Sequence, residues 1–140
     1  MTDTNTSQSP EASANIPPVG WLRGVIVDAV APERLATFWA GILGVEVAEK
    51  VPGWLQLRFG SQGSLMAFQP VEAADHKPIR IRIDVEVEDL EKATDGVVAL
   101  GGELLEIVRF RPGEEHRLMA DPEGNEFNLV MPFPPGLQVR

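Results

Sequence analysis

Hydrophobic and polar residues alternate along several short segments of this chain, a pattern typical of β-strands that bury one face. The alternation is clearest over 79–87, where every second residue is aliphatic and the residues between are charged. Shorter or weaker patterns predict further strands over 21–30, 45–50, 54–59, 64–69, 103–110, 115–120 and 125–131. The chain is therefore expected to be rich in strands with one polar face each.

Two segments have helical spacing instead. Residues 32–43 begin with Pro32, carry an apolar stripe and precede Gly44, which suits a helix C-terminus. Residues 89–100 resemble them and precede Gly101. Each predicted helix follows one strand and precedes three, so the order βαβββ occurs twice. We interpret this as an internal duplication, with units at 19–70 and 79–132 joined by a linker over 71–78.

Composition limits the organisation and the classes of function. With 140 residues, of which 44% are hydrophobic, the chain has material for one compact domain, predicted over 19–132. Residues 1–18 are predicted to be a disordered leader without signal-peptide features, and 133–140 a tail. The net charge of −9 disfavours nucleic acid as a partner, and no apolar run is long enough for a membrane span. Cysteine is absent, and we expect a cytoplasmic protein.

Several motifs occur in an order that resembles the vicinal oxygen chelate superfamily, which includes glyoxalase I, bleomycin-resistance and fosfomycin-resistance proteins, extradiol dioxygenases and methylmalonyl-CoA epimerases. They are Val27-Asp28-Ala29, the segment 32–39, Leu43-Gly44, the segment 65–69 and the turn 121–127. Within the superfamily the chain is most similar to glyoxalase-like proteins of actinobacteria. The resemblance implies an α+β fold in which each unit forms a curved half-barrel of mixed sheet, the pair encloses a pocket, and the protein is a homodimer.

The resemblance also locates the positions of metal ligands. It places the first-strand ligands at Gly24 and Arg82, one last-strand ligand at Asn128, and the fourth within a residue or two of Gln69. Divalent cations prefer carboxylate or imidazole ligands, and a guanidinium repels them. We therefore predict neither a metal site nor any cofactor. The turn 121–125 is interpreted as a marker of the fold, because Asp-Pro and Gly124 favour a tight turn.

Four residues are candidates for catalysis. Arg82 suits an anionic oxygen, or alternatively a structural ion pair with Asp84, Asp28 or Glu86. Asp28 and Asp84 suit proton transfer or orientation of Arg82. His116 suits a general base, or packing in place of an aromatic residue. His76, in the linker, is expected to be a solvated surface residue. The residues predicted to contact a ligand are Gly24, Trp54, Met66, Phe68, Gln69, Arg82 and Asn128.

Three functions follow from these candidates. The first is metal-independent binding or sequestration of a small organic ligand, as in bleomycin-resistance proteins, with an acidic surface that suits cationic drugs. The second is a metal-free isomerase, cyclase or lyase in which Arg82 stabilises an oxyanion. The third is a metal-dependent glyoxalase-type lyase or dioxygenase with relocated ligands, for example His116, Gln69 and Glu126. The sequence does not separate the first two.

Overall fold

The computed structural model describes residues 16–60, 63–112 and 114–132. The predicted tail and most of the predicted leader lie outside these residues. The first unit consists of β1 (Gly24–Ala29), α1 (Pro32–Leu43), β2 (Ala48–Val51), β3 (Trp54–Phe59) and β4 (Ser64–Pro70). The second consists of β5 (Ile83–Glu86), α2 (Leu90–Ala99), β6 (Glu103–Arg111), β7 (Glu114–Ala120) and β8 (Glu126–Val130).

Each unit forms its own four-stranded mixed sheet. The strand orders are β1-β4-β3-β2 and β5-β8-β7-β6. In both sheets the first strand of the unit pairs in parallel with the last, and the other pairs are antiparallel. The predicted α+β class and the repeated βαβββ order are confirmed. The two sheets are separate and do not close into a barrel.

The segment around β5 differs most from its prediction. A strand was expected over 79–87, but pairing begins only at Ile83. The reason is that β5 pairs with β8 alone, and β8 begins at Glu126. Before β5, the Ile79 amide donates to the Asn125 side chain at 2.7 Å, and the linker contains a short helix over Ala73–Asp75. The expectation for His76 is wrong, since its side chain is only 15% exposed and lies 3.4 Å from the Glu123 carboxylate.

One hydrophobic core serves both units. Core residues of the first unit, including Val27, Phe38 and Trp39, belong to the same cluster as Phe127 and Leu129 of the second. The ring centroids of Trp39 and Phe127 are 4.7 Å apart in an edge-to-face arrangement, which adds to the burial of apolar area. Because each sheet turns one face to this core, strand alternation turns its other face away from it.

The turn between β7 and β8 connects the two units. Asp121 is buried, and its carboxylate accepts hydrogen bonds from the Trp39 indole at 3.0 Å and from the Asn125 side-chain amide at 2.8 Å. Its other oxygen accepts from the backbone amides of Glu123 and Asn125. Gly124 has φ of 85°, a conformation that other residues rarely adopt. The turn therefore organises itself around one carboxylate and holds α1.

The same turn also fixes the start of α1. This helix has Pro32 in its first turn and no side-chain hydrogen bond at its own N-cap. The carboxylate of Glu123, from the other unit, accepts from the amides of Val30 and Ala31 at 2.8 Å each. A negative charge at this end also complements the helix dipole.

No helix among the described residues is long and apolar enough to cross a membrane. The cytoplasmic location stays a prediction.

Replacing Asp121 with Ala is expected to destabilise the protein by about 3 kcal/mol, because the buried indole and amide groups lose their acceptor. Urea unfolding followed by far-ultraviolet circular dichroism measures the change. Asp95→Ala, at an exposed position of α2, is the matched control and should lie within about 0.5 kcal/mol of the unchanged protein. Equal stabilities for the two variants would show that the carboxylate does not hold the units together.

Candidate functional site

A pocket of about 660 Å³ lies on the polar face of the first sheet. Its volume falls in the range of small-molecule sites, roughly 300–1,000 Å³. Three neighbouring strands and the residue before β1 supply the lining, which consists of Arg23, Gly24, Ile26, Trp54, Gln56, Arg58 and Leu65. No acidic residue is among the lining residues.

Strand register arranges the pocket in rows. Gly24 on β1 and Arg58 on β3 both lie opposite Leu65, so the three form one row across the sheet. Ile26 and Gln56 both lie opposite Ala67 and form the next row. Because strands are about 4.8 Å apart, the outer side chains of a row stand about 10 Å from each other. The pocket is thus a trough with β4 as its floor.

Hydrogen bonds hold two of the pocket side chains in place. The Trp54 indole donates to the Gln56 side-chain oxygen at 3.0 Å, which fixes the orientation of the ring. One terminal nitrogen of Arg58 donates to the Gly63 carbonyl at 3.1 Å. A guanidinium carries five donors, so Arg58 keeps most of its donors available. The Arg23 side chain has no hydrogen-bond or ion-pair partner within the described part of the chain.

The close approach of β1 and β4 leaves no room for a side chain at position 24. A Cβ atom at position 24 would collide with the backbone carbonyl oxygen of Leu65. The φ of Gly24 is not in the left-handed region, so close approach of β1 and β4, not backbone conformation, excludes a side chain. A side chain that binds a metal ion at position 24 would require β1 and β4 to move apart.

The other predicted polar residues form pairs between the first and last strand of each unit. Gln69 donates to Asp28 at 2.7 Å in the first unit, and Asn128 donates to Asp84 at 2.9 Å in the second. Arg82 pairs with Glu126 at 2.9 Å, and its side chain is 56% exposed. The alternative of an ion pair between Arg82 and Asp84, Asp28 or Glu86 is therefore not observed, because Glu126 lies across the parallel pair.

The strand register also locates more closely the four positions where the superfamily resemblance places metal ligands. In the second unit, Arg82 lies two residues before Asp84, and Asp84 pairs with Asn128. In the first unit, Gly24 lies two residues before Ile26, and Ile26 pairs with Ala67. If Gly24 matches Arg82, then Ala67 matches Asn128, two residues before the expected Gln69. Among these four positions only Asn128 offers an oxygen, its buried Oδ1, which has no hydrogen-bond partner within the described residues. One amide oxygen does not fit a divalent ion.

The relocated metal ligands considered above do not meet either. Glu126 pairs with Ala120, which is four residues along β7 from His116, a distance of about 13 Å. Gln69 belongs to the other sheet, where it is bonded to Asp28. Across residues 16–60, 63–112 and 114–132, no group of three or more His, Asp or Glu side chains has a geometry that could hold a metal ion.

Two residues expected in the pocket wall lie on the opposite face of the sheet. Met66 and Phe68 are 2% and 0% exposed and belong to the shared core. Met66 borders a smaller cavity of about 370 Å³ between the units, together with Trp39 and Ile83. Of the predicted ligand contacts, the large pocket brings together only Gly24 and Trp54, while Arg82 and Asn128 lie on the second sheet.

Sequence reasoning missed the other residues of the pocket. Gln56 and Arg58 follow Trp54 at a spacing of two, so strand alternation alone could have placed them on the same face. Arg23 precedes β1 and gave no such signal.

Arg117 was also missed. It is 4% exposed and binds Glu91 at 2.8 Å, Glu115 at 3.2 Å and Thr94 at 2.9 Å, which ties α2 to β7. The hydrogen bond that Arg117 donates to the Glu91 carboxylate raises the pKa of this guanidinium above its usual value, although burial acts in the opposite direction. Arg117 lines a shallow pocket of about 420 Å³ together with Glu88, Asp89 and Met131. Its two terminal nitrogens bind residues of α2 and β7, so these contacts hold the helix on the sheet, while its buried Nε has no hydrogen-bond partner among the described residues.

These features define an α+β protein of paired βαβββ units with a pocket on the polar face of one sheet. Residues 24–130 match the model of the glyoxalase-like domain family, and the chain belongs to that family. The vicinal oxygen chelate superfamily inferred from the motifs is thereby supported. No curated protein shows significant sequence similarity to the chain.

Solved structures share the fold at low sequence identity. A glyoxalase-related enzyme from Fulvimarina pelagi is 18% identical with a TM-score of 0.66, covering 87% of this chain and 96% of its own. A glyoxalase/bleomycin resistance protein/dioxygenase family enzyme from Burkholderia phytofirmans is 17% identical with a TM-score of 0.65, covering 78% and 96%. A fosfomycin resistance protein from Listeria monocytogenes, complexed with Mn(II) and a dihydroxypropylphosphonic acid, is 14% identical with a TM-score of 0.63, covering 81% and 90%.

Replacing Gly24 with Ala is expected to lower stability by about 2 kcal/mol or more, because the added methyl group meets the Leu65 carbonyl. Gly20→Ala is the control, since nothing lies within 4 Å of a Cβ there. Urea titration of both variants measures the difference. If Gly24→Ala were as stable as Gly20→Ala, the strands would have room for a side chain at the first ligand position.

Proposed function

We propose that this protein binds a small organic ligand, without a metal ion, in the pocket on the polar face of the first sheet. The observation that carries the proposal is the trough of about 660 Å³ with a fixed indole on one wall and Gly24 at the position of a metal ligand. An aromatic wall with a few oriented polar groups is the usual composition of a small-molecule site. Binding or sequestration of the ligand is the function that this composition favours.

Metal independence rests on the side chains present at the four matched positions. The fosfomycin resistance protein of similar fold was solved with Mn(II), whereas this chain has Gly24, Ala67, Arg82 and Asn128 at the four positions where the superfamily resemblance and the strand register locate the ligands. A divalent ion there would face one amide oxygen and one guanidinium. The guanidinium charge would repel it.

A metal-free isomerase, cyclase or lyase is the second candidate. It would use Arg82 to stabilise an oxyanion, with Asp28, Asp84 or His116 for proton transfer. The pairs Arg82–Glu126 and Asp84–Asn128 bring two carboxylates and a guanidinium close together in the second unit, which favours this candidate. Against it, Arg82 is largely exposed and already paired, so it lacks the water-excluded surroundings in which such a charge acts most strongly.

The binding proposal predicts saturable, metal-independent ligand binding. A thermal-shift screen of small organic compounds on protein treated with EDTA should give hits that are recovered unchanged. Trp54→Ala should weaken them about tenfold, because stacking on the indole is lost. Leu105→Ala, at an exposed residue of β6, should have no effect.

Three outcomes contradict parts of this proposal. Binding that is lost with EDTA and restored by Mn²⁺ would overturn metal independence. Hits that do not depend on Trp54 would overturn the assignment of the pocket. Conversion of a hit that disappears in Arg82→Ala would favour the metal-free enzyme over the binding protein.

We also propose that the protein is a homodimer. Strands β1 and β5 are edges of their sheets, and free edges are templates for pairing. Large apolar side chains are exposed beside these edges, with Trp21 at 94%, Leu22 at 81% and Ile81 at 70%. Apolar side chains next to an unpaired edge favour burial against another chain. A second copy is the partner that such self-complementary edges fit.

Sedimentation equilibrium should therefore give twice the chain mass of 15.3 kDa. The double variant Trp21→Ser, Leu22→Ser should shift the mass toward that of one chain, because the apolar contact is removed. Val98→Ser, at an exposed site on α2, should leave the mass unchanged. A single-chain mass for the unchanged protein at concentrations of about 0.1 mM would contradict the dimer.

A further inference from the structure

We infer that the pocket on the first sheet selects an anionic ligand with a flat apolar body, its anionic group held between Arg23 and Arg58. This inference rests on the proposed function and names the ligand class for that site. A carboxylate is the simplest such group, since a guanidinium binds it through two parallel hydrogen bonds.

The charge of the pocket is opposite to the charge of the protein. The chain carries −9 in total, which at long range favours cations. Among the described residues, Arg23 and Arg58 are the only charged ones that line the pocket. At contact distance these two guanidinium groups outweigh the carboxylates outside the lining, whose fields are screened over about 10 Å at moderate salt. The pocket therefore disfavours the cationic drugs that the overall charge would suit.

Neither arginine has a carboxylate partner among the described residues. Within the described residues, Arg82, Arg109 and Arg117 each pair with a glutamate. Arg58 binds only a backbone carbonyl, and Arg23 has no side-chain partner there. In the described part of the chain Arg34 and Arg80 also have no ion-pair partner, but they do not line the pocket. Arg23 and Arg58 differ from them because both line one pocket.

The two arginines lie at the same end of the trough. Arg58 belongs to the row that contains Gly24, and Arg23 directly precedes Gly24. At Gly24 the backbone of β1 lies directly against the Leu65 carbonyl of β4. The next row contains Ile26 and Gln56. Trp54 lies beyond that row, four residues from Arg58 along β3 and therefore about 13 Å from it. An anionic head at Gly24 and a flat body reaching toward Trp54 would match this order.

Three probes of the same shape and different charge test the inference: naphthoate, naphthylmethanol and naphthylmethylammonium. Titration calorimetry on the full chain at low salt should give naphthoate an affinity at least tenfold above the other two. Arg58→Gln and Arg23→Gln should each weaken naphthoate about tenfold and leave naphthylmethanol unchanged. Arg34→Gln, which removes the same charge from the exposed side of α1, should leave all three unchanged.

Arg58→Lys separates charge from geometry, and it should recover only part of the naphthoate affinity because an ammonium lacks the two-pronged bond. Far-ultraviolet circular dichroism confirms that each variant is folded, and Arg23→Gln changes a residue outside the strands. Equal or tighter binding of the ammonium probe, still dependent on Trp54, would overturn the anion preference and leave the binding function intact. Naphthoate binding unchanged in both arginine variants would also overturn it. Absence of Trp54-dependent binding by any probe or screened compound would instead overturn the proposed function.

Discussion

The arrangement of the two units depends on one buried carboxylate. Asp121 lies in the second unit and accepts four hydrogen bonds, one of them from the Trp39 indole in the first unit. A buried charge is tolerated only when its hydrogen bonds are satisfied, so the turn, the indole and the carboxylate require one another. Trp39 in turn packs on Phe127, and through this contact the two sheets share one core.

A shared core has a consequence for the site. Each sheet covers the core with one face, and its polar face points away from it, so each unit presents its own polar surface. The pocket on the first sheet is accordingly lined by residues of the first unit alone. The pairs Arg82–Glu126 and Asp84–Asn128 belong to the second unit. The two polar surfaces are chemically different: the pocket of the first contains two arginines without a carboxylate partner among the described residues, and the second contains the Arg82–Glu126 ion pair and the Asp84 carboxylate bonded to an amide.

Much of the fold could be predicted from local patterns, and much of the site could not. The alternation of apolar and polar residues predicted the strands, and Pro and Gly at the boundaries predicted the helix ends, because these signals are local in the chain. Alternation tells which residues share a face but not which face meets the helix. In β4 the residues Leu65, Met66, Ala67 and Phe68 are all apolar, so the pattern left the inward face undetermined, and Met66 and Phe68 were assigned to the pocket instead of the core. The extent of β5 depends on the length of β8, which no pattern within 79–87 encodes.

The close packing at Gly24 bears on both metal binding and anion binding in the pocket. The backbone of Gly24 approaches Leu65 so closely that a Cβ would clash, which removes the first metal-ligand position from the chemistry of the site. Arg23 and Arg58 line the same pocket as Gly24, where a divalent ion would be repelled and an anionic group attracted. Overall charge could not reveal this, because −9 is a sum over the whole chain and a ligand in contact responds to the nearest groups. The position that argues against a metal thus lies in the same pocket as the two arginines that give the pocket its polarity.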